Sequence, residues 1–347
     1  MADESQTLDL DVLAAWMDDQ GLPPGPIGAV EPLVGGTQNV LVRFDRGGAT
    51  YVLRRGPWHL RPFSNEAMRR EMRVLEGLAG SDVPHPRLIA ACPDEDVLGG
   101  GAAFYLMESI DGFNPTVALP ELHANDASVR HAMGLSVVDA VAALGAVDHE
   151  AVGLADLGKP DGFLERQVPR WLSELESYGR HEGYPGPDIP GLTELATWLE
   201  AHRPASFTPG LSHGDYHLAN VLIRPDGPEV AAVVDWEMCT VGDPLLDLGW
   251  LLATWPEPQE GLVSGAVGMA GGLPTGPELV ARYAERTTRD LSAIGWYEVL
   301  ACFKLGIVLE GTHARACAGK APVEVGDMLH ATTLALFARA QQRIHGE

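Results

Sequence analysis

The chain has 347 residues, with 24 Lys and Arg against 48 Asp and Glu, which gives a formal net charge of −24. Binding to nucleic acid or to an anionic membrane surface depends on clustered basic residues, so this charge argues against both partners. Hydrophobic residues make up 46% of the sequence, which is typical of a globular protein with a sizeable core. A chain of this length is expected to form two domains, or two lobes of one domain.

The first residues, MADESQTLDLD, are acidic and lack the basic start and apolar centre of a secretory signal. The sequence also has no uninterrupted apolar run of about 20 residues, the length needed to cross a membrane. We therefore expect a cytoplasmic protein. The cysteines have no CxxC or CxxxC spacing, so we interpret all four as small core residues and not as zinc ligands or disulfides.

The first 110 residues alternate between helical and strand patterns. Residues 8–20 have apolar side chains at helical spacing, and a Gly followed by two prolines ends that helix. From 30 to 56 the hydrophobic period changes to two, which predicts three hairpin-connected antiparallel strands. A second helix is predicted over 64–80 with Ser64 as its N-cap. The segments RLIAACP and AAFYLMESI then add two strands, which completes an α+β unit.

After Gly112 longer helical patterns dominate. They run through 125–147, 162–180 and 191–203, and the sequence from about residue 274 is also helical. Two short apolar strands, NVLIR and VAAVVDW, flank the turn PDGP between these helical regions. The Gly- and Pro-rich stretch PEPQEGLVSGAVGMAGGLPTGPE is expected to be a loop.

The run HGDYHLAN at 213–220 carries the most informative chemistry. The Asp215 carboxylate and the Asn220 carboxamide can lie at opposite ends of one tight loop, where one faces an attacking hydroxyl and the other a metal. Asp235 ends an apolar strand and adds a hard anionic oxygen. Mg²⁺ bound through one or two protein oxygens plus nucleotide phosphates requires such donors, so the spacing predicts a phosphoryl-transfer loop.

The same residues, together with VVDWE at 233–237 and GDPLLDL at 242–248, resemble the aminoglycoside phosphotransferase and choline-kinase branch of the protein-kinase-like superfamily. The resemblance extends over about residues 25–340 and depends on the spacing of several motifs. It implies a kinase that uses ATP and Mg to phosphorylate a hydroxyl of a small-molecule substrate.

The resemblance also implies a fold, namely an α+β, bilobal, protein-kinase-like fold. Its N-terminal lobe would be a five-stranded antiparallel sheet plus a helix, and its C-terminal lobe mainly helical. We expect the nucleotide-binding lobe in residues 1–110, with an N-terminal helix within 1–24. The hinge would lie at about 107–112, and residues 113–347 would form the catalytic and substrate lobe.

By this resemblance Asp215 is the catalytic base that orients the substrate hydroxyl, and Asn220 and Asp235 are the magnesium ligands. Asp235 occupies the position of the Asp-Phe-Gly aspartate of protein kinases. Because Trp236-Glu237 follows it in place of Phe-Gly, we expect no switch of a Phe side chain.

Supporting roles are expected for other residues of the same segment. His213 would brace the loop by hydrogen bonds, and Asp247 would hold loop backbone amides. Asp243 is also expected to be structural. His217 lies inside the loop, where it either touches substrate or, as we expect, fills space.

In the N-terminal lobe the strand YVLR at 51–54 aligns with the strand that usually ends in the phosphate-binding Lys. Strand alternation places Arg54 on the face toward the nucleotide. Arg would clamp phosphate oxygens as a planar fork instead of a point charge. Glu71 on the following helix is the expected ion-pair partner of Arg54, with Glu66 as the second choice.

The sequence has no GxGxxG motif to cover the phosphates. The candidate cover is the loop GGTQN, in which backbone amides and the side chains of Thr37, Gln38 and Asn39 would cradle them. Its place between two strands, just before the Arg54 strand, supports this interpretation.

The strand FYLMESI at 104–110 is expected to lead into the hinge. Met107 would line the adenine pocket, and backbone groups of Glu108 and Ile110 would pair with adenine. All three assignments follow from the resemblance.

Three stretches, AVDHEAVGL at 146–154, GFLERQVPRW at 162–171 and FKLGIVLEG at 303–311, resemble the subgroup found within or beside acyl-CoA dehydrogenases. Such relatives are thought to phosphorylate hydroxyacyl-CoA thioesters, which primes the hydroxyl for elimination. The acidic composition would instead suit a cationic acceptor such as an aminoglycoside, a choline-like compound or an amino sugar. A third possibility is a catalytically weak nucleotide-binding module.

Two basic regions have open alternatives. Arg166, Arg170 and Trp171 share a helix, which is expected to have one solvated face and one buried aromatic; the alternative is a platform for an anionic or CoA-bearing substrate. Lys304 would be costly to bury unpaired. It is expected either to snorkel or to contact an acid such as Glu310.

Overall fold

The N-terminal part of the chain is built on one antiparallel sheet. A computed structural model of the protein describes residues 8–33, 39–256 and 265–346. In chain order the first elements are α1 (Leu10–Asp19), β1 (Gly28–Pro32), β2 (Val40–Arg46), β3 (Ala49–Arg55), α2 (Ser64–Gly77), β4 (Leu88–Cys92) and β5 (Phe104–Glu108). The sheet order is β1-β2-β3-β5-β4, and every neighbouring pair is antiparallel. The predicted five-stranded sheet with a helix after its third strand is confirmed.

Strand alternation gives the sheet two different faces. Phe44 and Leu53 pack in a buried cluster with Leu13 of α1. Val52 and Met107 belong instead to the main core, which continues into the C-terminal part. The buried face of α2 includes Met68, Met72, Val74 and Leu75, and Leu78 just after the helix is buried as well.

The start of α2 differs from the prediction. Ser64 is the first helical residue, and its Oγ accepts a hydrogen bond from Arg61 N at 3.1 Å. The capping position belongs to Phe63, which has a φ of 70° and makes no side-chain capping bond. Because the preceding turn uses the Ser64 hydroxyl, the assignment of Ser64 as N-cap was wrong.

The chain after residue 112 is mainly helical, as predicted. Its elements are α3 (Glu121–Asn125), α4 (Ala127–Ala146), α5 (Gln167–Ser177), α6 (Leu192–Ala201), β6 (Gly210–Ser212), β7 (Val221–Ile223), β8 (Val230–Val233), β9 (Thr240–Gly242), α7 (Leu245–Thr254), α8 (Gly265–Ala270), α9 (Gly276–Arg286), α10 (Ile294–Cys317) and α11 (Val323–His345). The strands form two small sheets, β6 with β9 and β7 with β8. The HGDYHLAN run lies between β6 and β7.

The Gly- and Pro-rich stretch before α9 is not entirely a loop. Residues 257–264 lie outside the described residues, but α8 follows them. Val267 N donates to the Pro115 carbonyl at 3.1 Å. Gly265 has a φ of 62°, and a Cβ there would lie 2.0 Å from the Thr116 carbonyl oxygen. Composition does not reveal these tertiary contacts, so the loop prediction was wrong for α8.

Three of the four cysteines, Cys92, Cys239 and Cys302, are buried as predicted. Cys317 is exposed because it is the last residue of α10. The interpretation of Cys317 as a core residue was therefore wrong. Cys92, Cys239 and Cys317 are free thiols.

One helix in the described part of the chain, α4, is long and apolar enough to cross a membrane by length and composition alone. Its apolar window is 56% buried inside the protein. Because buried core helices meet the same criterion, this single helix is weak evidence for a membrane span.

Candidate active site

The loop between β6 and β7 is fixed by a buried carboxylate. Asp247, near the start of α7, accepts hydrogen bonds from His213 N at 2.5 Å and Gly214 N at 2.9 Å. Gly214 has a φ of 85°, and a Cβ there would lie 2.6 Å from the Met238 carbonyl oxygen. Only glycine accepts this combination of positive φ and close approach. The structure thus contains the contact between Asp247 and the loop amides that the sequence predicts.

His213 braces the same loop from inside the core. Its Nε2 lies 3.0 Å from the Val234 carbonyl oxygen, and its Nδ1 accepts from Asp215 N at 3.3 Å. This pairing assigns the proton to Nε2. Burial lowers the pKa of His213, so the imidazole is neutral and links β8 to the loop.

Asp215 projects from this loop with its side chain 37% exposed. Asn220 Nδ2 donates to the Asp215 carbonyl oxygen at 2.9 Å and to its Oδ2 at 3.1 Å, while His217 Nε2 lies 3.4 Å from Oδ2. Burial alone would raise the pKa of Asp215, but the hydrogen bond and charge of His217 outweigh burial and lower the pKa to about 2. The carboxylate is therefore ionised at neutral pH.

A second cluster lies where the sheet meets the C-terminal part. Arg54 Nη2 donates to Glu71 Oε1 at 3.0 Å and to Asp235 Oδ1 at 2.5 Å, and Arg54 Nε lies 2.8 Å from Glu71 Oε2. Tyr105 donates its hydroxyl to Glu71 Oε2 at 2.7 Å. The predicted Arg54–Glu71 ion pair is present, and the second-choice partner, Glu66, is exposed.

Charges in this cluster are strongly coupled. Burial would lower the pKa of Arg54, but Glu71 raises it, with smaller contributions from Tyr105 and Asp235. Burial raises the pKa of Glu71 against the opposing charge of Arg54. Arg54 thus stays charged and holds two carboxylates from different parts of the fold.

Asp235 follows β8 in a left-handed conformation, with φ 68° and ψ 63°. Such a backbone is costly for a residue with a Cβ and is often found at functional sites. Oxygens of Asp235, Glu71 and Glu237 lie within 4.8 Å of one another, which is close enough to hold a metal ion. Asn39 Nδ2 donates to Glu237 Oε2 at 3.3 Å. The sequence did not single out Glu237, although it stands two positions after Asp235.

The remaining nucleotide-site predictions fall at the end of β5 and in the loop before β2. Met107 is buried. Glu108 N donates to the Arg87 carbonyl at 3.0 Å, so Glu108 would meet adenine through its carbonyl oxygen. Ile110 follows just after β5. Thr37 and Gln38 lie outside the described residues, while Asn39 contacts Glu237.

Asp243 accepts hydrogen bonds at the start of α7. Tyr297 donates its hydroxyl to Asp243 Oδ2 at 2.5 Å, and Leu245 N donates to Oδ1 at 3.1 Å. Asp243 is buried. Its contacts tie α10 to the first turn of α7, which carries Asp247.

Lys304 on α10 has partners that the sequence did not predict. Its Nζ donates to the Gly214 carbonyl at 3.0 Å and lies 4.2 Å from the Trp250 ring centroid and 5.5 Å from that of Trp171. Lys304 and Glu310 are six positions apart on the helix, so their side chains point in different directions. Glu310 contacts other residues. The suggested Lys304–Glu310 contact was wrong.

The chain forms a five-stranded antiparallel sheet followed by a helical part, with an Arg–Glu pair on one side of the site and an Asp/Asn loop on the other. This combination defines a phosphotransferase of the protein-kinase-like fold. Residues 29–286 match the profile of the Phosphotransferase enzyme family, and the chain belongs to that family.

Solved structures agree with this fold. The crystal structure of a "putative aminoglycoside phosphotransferase" from Ralstonia eutropha JMP134 is 29% identical, has a TM-score of 0.79, and covers 97% of this chain and 99% of that one. The GDP complex of aminoglycoside 2'-phosphotransferase-IIIa has a TM-score of 0.61 at 15% identity and covers 98% of this chain and 100% of that one. The second likeness concerns the fold alone.

Curated relatives belong to the predicted subgroup. Acyl-CoA dehydrogenase family member 11 of Gallus gallus is 29% identical over 88% of this chain and 39% of the relative. The Homo sapiens member 11 is 29% identical over 82% and 36%, and the Mus musculus member 10 is 28% identical over 81% and 27%. The chain thus spans about two fifths or less of the length of these relatives.

Proposed function

We propose that the protein is a kinase that uses ATP and Mg²⁺ to phosphorylate the hydroxyl of a small molecule, with a hydroxyacyl-CoA or related thioester as acceptor. The observation that carries this proposal is the ionised, partly exposed Asp215 carboxylate, held by Asn220 and His217 near the Arg54–Asp235 pair. Phosphoryl transfer depends mainly on alignment and charge neutralisation, and these residues provide both.

Asp215 would accept a hydrogen bond from the acceptor hydroxyl and so aim its oxygen at the transferred phosphoryl group. With a pKa of about 2, Asp215 is a weak base and would take the proton only late in transfer. Its main contribution is orientation, in agreement with a loose transition state that needs little help from a base.

The donors around Asp235 fit a magnesium ion. Asn220 uses its Nδ2 on Asp215, which leaves its Oδ1 for a cation, and the Asp235 side chain is 37% exposed. All these donors are oxygens, as Mg²⁺ prefers. When bound, Mg²⁺ would offset the negative charge of the nucleotide phosphates. Arg54, held by Glu71, would contact phosphate oxygens with its guanidinium.

A cavity of about 360 Å³ with a mixed polar and apolar lining includes Asp215. Leu218, Trp250 and Leu305 line it, together with Thr116 and His217. An acyl chain that carries a hydroxyl would fit such a lining, since its apolar carbons pack on Trp and Leu while the hydroxyl meets Asp215.

A second cavity, of about 370 Å³, shares Trp250 with the first and is lined by Arg70, Arg170 and Lys304. A third shares Arg170 with the second and adds Arg166 and Lys159. The second and third cavities also include the acids Glu165, Glu237 and Asp247, so their five cations are in modest excess although the chain is acidic. This distribution supports a long anionic carrier such as CoA and disfavours a cationic acceptor, which would meet Lys304.

The proposal is tested by measuring ATP consumption with hydroxyacyl-CoA thioesters, aminoglycosides and amino alcohols. We expect turnover with the thioesters and a loss of at least about 10³-fold in Asp215→Asn, because the variant cannot orient the hydroxyl as an ionised carboxylate does. Nucleotide binding should remain near wild-type in this variant. Magnesium-dependent ATP binding without transfer to any acceptor would instead favour a non-catalytic module.

Arg170 offers a test of the acceptor class. Arg170→Ala should raise the KM for the CoA thioester about tenfold while leaving the KM for ATP unchanged, because one phosphate-contacting cation is lost. Arg180, exposed just after the same helix, provides the matched control in Arg180→Ala. Equal effects of the two substitutions, or turnover with cationic acceptors only, would contradict the thioester assignment.

A further inference from the structure

A cluster of metal-ligating side chains lies between α10 and α11, beyond the site described above. Glu310 and His313 are three positions apart on α10, and His330 faces them from α11. One ligand atom from each of the three residues lies within 4.8 Å of the other two. Glu310 is six residues beyond Lys304, or about 9 Å along the helix axis.

Glu310 is fully buried, and both its oxygens are oriented. Tyr184 donates its hydroxyl to Oε1 at 2.8 Å, while Oε2 lies 2.7 Å from His330 Nδ1. A buried carboxylate fixed by an outer hydroxyl and turned toward a histidine is the arrangement that orients ligands in metal sites.

One ring nitrogen of the partly buried His313 has no hydrogen bond to any described residue. Its Nδ1 is buried and has no hydrogen-bond partner in the part of the chain that the structure describes. The Asp327 carboxylate is 3.7 Å away from this atom, too far for a hydrogen bond. The rings of His313 and His330 lie face to face, with centroids 4.6 Å apart. A buried ring nitrogen without a partner costs stability unless something binds it.

A glycine brings the two helices together at this point. A Cβ on Gly326 would lie 2.4 Å from the Ala316 Cβ and 3.4 Å from the His313 Cα. The close approach of α11 to α10 therefore depends on Gly326. This close approach places His330 within reach of Glu310 and His313.

We propose that Glu310, His313 and His330 bind one divalent transition-metal ion of the Zn²⁺ class, which fastens α10 to α11. Two imidazoles and one carboxylate are a donor set that Zn²⁺ accepts, with solvent at the fourth position. Zinc bonds of about 2.0–2.2 Å require ligand atoms roughly 3.4 Å apart, so Glu310 Oε2 and His330 Nδ1, now 2.7 Å apart, have to separate slightly. One of the two stacked imidazole rings also has to rotate before both can direct a nitrogen at the same ion. Binding through His330 Nδ1 requires the hydrogen between His330 and Glu310 to move to Nε2, so that the imidazole binds as its neutral tautomer and Glu310 as a carboxylate.

The experiment is a calorimetric titration of Zn²⁺ into the full chain after EDTA dialysis, with excess Mg²⁺ present to occupy the oxygen cluster at Asp235. We expect one Zn²⁺ per chain and a rise in Tm on binding. His330→Gln should weaken binding by roughly 100-fold or more, since even loss of an outer partner costs 10–100-fold. Gln retains an amide that can donate to Glu310, so the variant keeps a partner for that carboxylate and should fold.

Two variants serve as controls. His131 lies 3.1 Å from Glu278 as an exposed pair, and His131→Gln should leave Zn²⁺ binding unchanged. Cys317, whose sulfur is 3.7 Å from His313 Nε2, is an exposed thiol, and Cys317→Ser should retain one Zn²⁺ per chain. The proposal is overturned if the wild type binds no stoichiometric Zn²⁺, if His330→Gln binds like the wild type, or if Cys317→Ser abolishes binding.

Discussion

Lys304 combines a structural contact with an electrostatic cost. Its ammonium donates to the Gly214 carbonyl of the Asp215 loop and lies over the Trp250 ring. Burial lowers the pKa of Lys304 to about 8, although Asp215 and Asp247 oppose this shift. The cost of burying the lysine charge is therefore accompanied by a cation in the lining of the second cavity.

The pKa of Lys304 predicts a pH dependence of stability. Its folded-state pKa of about 8 lies below the ordinary value of 10.5, so between these values the unfolded chain binds more protons than the folded one. The contribution of Lys304 to the free energy of unfolding should therefore increase as pH rises from about 8 to 10.5. Below a pH of about 8 Lys304 is charged in both the folded and the unfolded state, so the cost of burying its charge lowers the free energy of unfolding in full.

This dependence is measured by urea unfolding of the wild type and Lys304→Met at several pH values from 7 to 10.5. Other thiols and phenols titrate in the same range, so the difference between the two proteins is the relevant quantity. The free energy of unfolding of the wild type should rise relative to that of Lys304→Met as pH increases. A difference that stays constant with pH would show that Lys304 titrates normally.

Local spacing was enough to single out the candidate residues of the loop and hairpin, whereas it gave no signal for long-range contacts. Asp215, Asn220 and Asp235 lie within 21 positions of one another, and their chemistry follows from one loop and one hairpin. The Lys304–Gly214 contact joins residues 90 positions apart. Such a pair has no periodic signal in the sequence and depends on how α10 packs.

At the scale of elements, α2 connects the sheet to the C-terminal part. Arg70 Nε and Nη2 donate to the Cys239 carbonyl at 3.1 and 2.8 Å, and Nη2 also donates to the Leu157 carbonyl. Glu71, the next residue, points to Arg54. The helix α2 thus carries both the ion-pair partner of Arg54 and the link to the segment after Asp235.

Because of this link, Arg70→Ala should lower kcat about tenfold at saturating acceptor, which corresponds to roughly 1.4 kcal/mol of lost transition-state stabilisation. A loosened α2 would hold Glu71 and Arg54 less precisely. Steady-state kinetics with the proposed substrates measures this effect. Arg69→Ala is the matched control, since Arg69 contacts the Pro93 carbonyl and Glu95 within the N-terminal part. Similar kcat values for the two variants would exclude the link as a determinant of rate.

Elements were predicted well where the hydrophobic pattern is strong and poorly where tertiary contacts decide. The five strands alternate clearly, so their order along the chain followed from the sequence. Ser64 was misassigned because the turn before α2 uses its hydroxyl. Likewise α8 is stabilised by the backbone of Pro115 and Thr116, which a Gly-rich composition conceals.

At the scale of the whole molecule, the net charge is −24, whereas the ligands proposed for the site are anions. The cations that the structure places along the proposed route include Arg54, Arg70, Arg170 and Lys304. A nucleotide must therefore bind against a long-range repulsion, and local cations and Mg²⁺ have to overcome it. The overall charge describes the solvated exterior, whereas the lining of the cavities determines the ligand.

From this balance we expect nucleotide binding to depend on magnesium. ADP with Mg²⁺ at 100 times its Kd should stabilise the fold by about 2.7 kcal/mol, because a ligand that binds only the folded state shifts the unfolding equilibrium. ADP with EDTA should give a much smaller rise in Tm, since Asp235 and Glu237 then face the phosphates without a cation between them. Thermal unfolding under the two conditions measures the difference, and Asp235→Asn should reduce the magnesium-dependent part. Equal stabilisation with and without Mg²⁺ would mean that Arg54 and its neighbours hold the phosphates unaided.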